Sequence, residues 1–74
     1  MNDDAFVQAR QDARDTYEAE RRLGQTHAAA SETASRQFRE RIDAAGATGK
    51  RREDLLMAFS NDIVQLGDAW APQH

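Results

Sequence analysis

At 74 residues the chain is long enough for one small domain and no more. It has no cysteine, which removes a disulfide or thiolate-metal brace, and its net charge of −3 is not the footprint of general nucleic-acid affinity. Hydrophobic residues make up 39 %, but 14 of them are alanine. Leu, Ile, Val and Phe together number only 11 of 74, so the core is thin and a partner or a second copy is the expected brace.

In chain order, Asn2 is a good N-cap, and Asp3 and Asp4 fall in a first helical turn, where the helix dipole favours anions. From there to Ala45 no proline occurs, and nearly every residue is a helix former. Glu18–Arg22, Glu32–Arg36 and Arg39–Asp43 are spaced four apart and add a few tenths of a kcal/mol each. Period-two alternation is missing, so strands are not expected.

Phe6, Ala9, Ala13, Tyr17 and Glu20 form one stripe, with Val7 beside it. His27, Ala30, Ala34, Phe38, Ile42 and Ala45 form another. Small side chains dominate both stripes, so a neighbouring helix could approach closely. Gly24 is the one weak point. A lone glycine costs only about 1 kcal/mol inside a helix, which favours one long helix bent there. Thr26 could instead cap a new helix. Ala45-Gly46-Ala47-Thr48-Gly49 is the clear turn, with glycine available for a left-handed C-cap.

After the turn, Lys50-Arg51-Arg52 oppose a helix dipole whereas Glu53-Asp54 suit it, so the next helix is expected from about Arg51. Leu56, Phe59, Ile63, Leu66 and Trp70 recur at steps of three and four, and Asn61, Asp62, Gln65 and Asp68 are read as the opposite, polar side. Pro72 sets the end.

These elements give an all-α expectation: a single small helical domain over 1–74, with a long helix over about 3–45, a turn at 46–50 and a helix over about 51–71. Residues 51 to 71 span about 30 Å at roughly 1.5 Å each, so the second helix folds back only to about residue 25. It would set Phe38 and Ile42 against Leu56 and Phe59, and His27 near Trp70. Residues 3 to 22 are then uncovered. Either they protrude and pack on another copy or another protein, which is the favoured reading, or the chain bends at Gly24 and closes a three-helix bundle.

Catalytic chemistry finds little support. His27 is the only histidine besides His74, and Ser31, Ser35 and Ser60 have no elbow or triad context. No second ligand lies three or four residues from His27, so no metal site or cofactor is expected. The function expected is therefore a non-enzymatic protein–protein interaction module: a small adaptor, chaperone or inhibitor acting as a homodimer on a larger protein.

Phe6, Val7, Arg10, Arg14 and Tyr17 would present the binding surface, because aromatics with arginine are enriched at interfaces. Phe38, Ile42, Leu56, Phe59, Ile63, Leu66 and Trp70 would form the hairpin or dimer core. The alternative is a nucleic-acid-associated regulator using Lys50, Arg51 and Arg52, with Arg36 and Arg39 upstream. No apolar run approaches the roughly 18 residues of a membrane span. The N-terminus also lacks the layout of a signal peptide, so a cytoplasmic protein is expected.

Overall fold

A computed structural model describes residues 3–70, and these form three helices. They are α1 (Asp3–Arg22), α2 (His27–Ala44) and α3 (Gly49–Trp70), and no strand occurs among the described residues. The Asn2 cap and the Pro72 stop lie outside the described residues. The bundle measures 44 × 18 × 17 Å.

The expected long first helix is broken, and the break is built from local chemistry. Gly24 adopts φ +95°; its N–H donates to the Arg21 carbonyl, and the Gln25 N–H donates to that of Glu20. This pair of bonds is a Schellman cap, in which the left-handed residue is normally glycine. Two residues on, Thr26 is extended (φ −69°, ψ 163°), and its hydroxyl accepts from the Ala29 N–H at 3.1 Å. One helix is therefore closed and the next opened within four residues.

The second turn repeats the glycine cap. Gly46 has φ +93°, its N–H donates to Asp43, and the Ala47 N–H donates to Ile42. Thr48 stands two residues after Gly46, as Thr26 does after Gly24.

α3 begins at Gly49, two residues earlier than the cation run suggests. The cations are answered locally: Lys50 pairs with Asp54 at 3.5 Å, and Arg52 pairs with Asp43 at 2.7 Å. That offsets their repulsion by the helix dipole.

One core is shared by all three helices. Phe6, Ala9, Ala13 and Tyr17 of α1 meet Ala30, Ala34, Phe38 and Ile42 of α2 and Phe59, Ile63 and Leu66 of α3, with Ala47 added from the second turn. Leu55, Leu56 and Trp70 are half-buried against it. Phe38 and Phe59 stack with centroids 4.5 Å apart, a pairing worth about 1 kcal/mol beyond the area it buries.

The short reach of α3 is as expected, because His27 at the start of α2 lies against Gly67 near the end of α3. Residues 3 to 22, however, do not protrude. The Gly24 turn returns α1 along the α2–α3 pair, so the chain itself covers the surplus length.

Candidate functional site

The five residues expected to form a binding surface separate into two groups. Phe6 and Tyr17 lie in the core, which corrects the reading of them as exposed contacts. The same stripe that looked unpartnered is the face α1 turns toward α2 and α3. Val7 is 68 % exposed, Arg10 is exposed, and Arg14 is half-buried. Of the seven residues expected to form the core, Phe38, Ile42, Phe59, Ile63 and Leu66 are buried, and Leu56 and Trp70 are half-buried.

Sequence spacing explains the division. Phe6, Ala9, Ala13 and Tyr17 follow the inward stripe, whereas Val7, Arg14 and Arg21 recur every seven residues along its edge, with Arg10 between the first two. Two contacts identify that edge as the one beside α3. Arg10 reaches Asp62 with two bonds, Nε to Oδ2 and Nη2 to Oδ1 at 2.8 Å. Arg21 lies over the Trp70 ring, 5.7 Å from its centroid. At the far end of the seam, Arg51 lies over the Phe6 ring at 5.2 Å.

Asp62 is the one buried charged residue among those described. Reading it as part of the polar side of α3 needs correction: once α1 docks, the buried sector of α3 widens to include it. Its side chain is 6 % exposed against 45 % for Arg10. The hydrogen bond and the charge of Asp62 raise the Arg10 pKa above its ordinary value.

The seam between α1 and α2 is answered pair by pair. Arg41 bonds Asp12 at 2.5 Å, and the Thr16 hydroxyl donates to Gln37 Oε1 at 2.5 Å. The Asp12 carboxyl is held below its ordinary pKa by the Gln8 amide first and Arg41 second. Along α1–α3, by contrast, neither Arg14 nor Arg21 has a carboxylate partner among the described residues.

A second cluster surrounds His27. The Tyr17 hydroxyl lies 2.8 Å from His27 Nδ1, and Arg21 Nη1 donates to the same hydroxyl at 3.4 Å. Arginine only donates, so the Tyr17 oxygen accepts from Arg21, and the imidazole tautomer sets which of the hydroxyl and Nδ1 donates to the other. His27 Nε2 faces Ser31 Oγ at 3.5 Å. His27, Val64, Gly67 and Asp68 line an open depression of about 260 Å³.

Sequence reasoning missed Gly67. A Cβ there would stand 2.6 Å from His27 Cε1. Glycine inside α3, otherwise unfavourable by about 1 kcal/mol, makes room for the ring.

The basic turn is largely consumed within the fold. Lys50 and Arg52 pair with Asp54 and Asp43, Arg51 covers Phe6, and Arg41 pairs with Asp12. Among the described residues no group of three His, Asp or Glu side chains could hold a metal ion, and no helix is long and apolar enough to cross a membrane. No protein-family model matches the chain, and no curated protein and no solved structure is significantly similar to it.

Proposed function

We propose that this protein is a non-enzymatic protein-binding module, a small adaptor, chaperone or inhibitor that engages a larger protein through the outer edge of α1 beside α3. The observation that carries this reading is the imbalance between seams. Polar groups along α1–α2 are satisfied in pairs, whereas Arg14 and Arg21 stand without a carboxylate beside a 68 % exposed Val7. Arginine next to exposed apolar surface is a composition that partner surfaces favour.

The homodimer expectation rested on apolar surface left over by a hairpin. Its two aromatic residues, Phe6 and Tyr17, lie inside the bundle, so the module is proposed to act as a single copy. The nucleic-acid alternative loses ground because Lys50 and Arg52 are tied to carboxylates of the same chain.

The test is site-specific photo-crosslinking in cells. A photoreactive residue at Val7 should give one dominant protein adduct, and the same residue at Glu40, on the exposed side of α2, should give none. Equal adduct patterns from both positions, or none from Val7, would refute the proposal.

A further inference from the structure

Resting on that reading, we infer that the partner presents an acidic amphipathic helix, which lies along the α1–α3 seam with carboxylates on Arg14 and Arg21 and an apolar side chain on Val7. Two observations fix this chemistry. The first is charge. In a chain of net charge −3, this edge gathers Arg10, Arg14 and Arg21, and the one carboxylate that crosses the seam to meet them, Asp62, is fully engaged by Arg10. An edge with a surplus of one charge selects a partner of the other.

The second is spacing. Val7, Arg14 and Arg21 recur every seven residues over about 21 Å of helix. A seven-residue repeat stays in register with another helix, because two helical turns occupy nearly seven residues. An extended strand, with its two-residue period, meets such a stripe at irregular intervals. Arg14 is the best-placed anchor: it is half-buried, one turn beyond Arg10, and makes no ion pair or hydrogen bond with another described side chain. Glu18, one turn further on along α1, would repel an acidic ligand.

The probe is a labelled synthetic peptide of about 18 residues, long enough to be helical when docked, with Leu, Glu and Glu at seven-residue spacing. Its binding to the full chain is followed by fluorescence anisotropy, with a scrambled peptide of identical composition alongside. The ordered peptide should bind more tightly than the scrambled one and weaken as salt screens the charges. Arg14→Glu and the milder Arg14→Gln should each lower affinity, the reversal by about tenfold or more. Arg36→Glu on the exposed side of α2 should leave it unchanged, and Glu18→Gln should raise it.

Unchanged thermal melting of the Arg14 variants would assign their losses to the surface. The inference is overturned if the ordered and scrambled peptides bind alike, if Arg36→Glu weakens binding as much as Arg14→Glu, or if duplex DNA binds more tightly with the same dependence on Arg14. A Val7 crosslink to a protein combined with no binding of the acidic peptide would overturn this inference while leaving the module reading intact.

Discussion

Helix α1 has two neighbours and meets them differently. Toward α2 it offers Ala9 and Ala13, small residues of the shared core to which α2 adds Ala30 and Ala34, and the polar groups at its rim are answered by Arg41 and Gln37. Toward α3 it offers arginine, and α3 answers with a single buried carboxylate and an indole ring. The first contact is specified by shape and leaves nothing over. The second is specified by one charge pair and leaves cationic side chains at the surface. A chain short of bulky apolar residues can close a bundle with alanine, because small side chains let helices approach closely and gain dispersion contacts.

The largest effect separates the inner stripe of α1 from its edge. Tyr17→Asp buries an unpaired charge at a fully enclosed position and removes the partner of His27 and Arg21. It should abolish cooperative melting and most of the far-ultraviolet helix signal, whereas Val7→Asp should leave both within about 0.5 kcal/mol of the original. Retained helicity in Tyr17→Asp would mean that α1 is dispensable to the core.

Next comes the charge pair. Arg10→Ala strands a buried carboxylate and should destabilise by about 2–4 kcal/mol, toward the low end because Arg10 is half in water. Asp62→Leu should be near neutral, since it leaves only a solvated cation. Denaturant melts giving equal losses for the two would show that Asp62 is hydrated in solution.

At Gly67, alanine should displace the exposed His27 ring, a penalty that offsets most of the about 1 kcal/mol alanine gains in helix propensity. His27→Ala in the same background should remove that penalty, and additive effects would contradict the steric account.

The smallest effect is in acid. Asp12 and Asp43 have carboxyl pKa values lowered in the fold, Asp12 by Gln8 and then Arg41, Asp43 by Arg52. A group depressed in this way stabilises above its unfolded pKa of roughly 4 and loses that contribution as pH falls through the folded value. Melting temperature should therefore hold steady from neutral pH down to roughly pH 5 and decline below roughly pH 4. Asp12→Asn or Asp43→Asn should blunt that decline.

Much of this was legible in the residues. The core stripes of α2 and α3, the Phe38–Phe59 contact and the pairing of the two ends of the α2–α3 hairpin follow from period and length. The break at Gly24 was not decided, because one glycine costs too little to end a helix by itself. The deciding signal was the pattern Gly24-x-Thr26, a left-handed cap followed by an N-cap. It recurs at Gly46-x-Thr48, in the segment whose composition marked it plainly as a turn. The misplacing of Phe6, Tyr17 and Asp62 follows from that one undecided break. With α1 unpartnered, the first two look like exposed anchors and the third like solvent-facing charge; with α1 docked, all three turn inward.

Whether α1 belongs to the core is read most directly by native-state amide hydrogen exchange on the unmodified protein. Amides around Ala13 and Tyr17 should open only with the global unfolding that also exposes those around Phe38 and Ile63, giving one common opening free energy. Exchange of the α1 amides at near-unprotected rates, while α2 and α3 stay protected, would contradict the account.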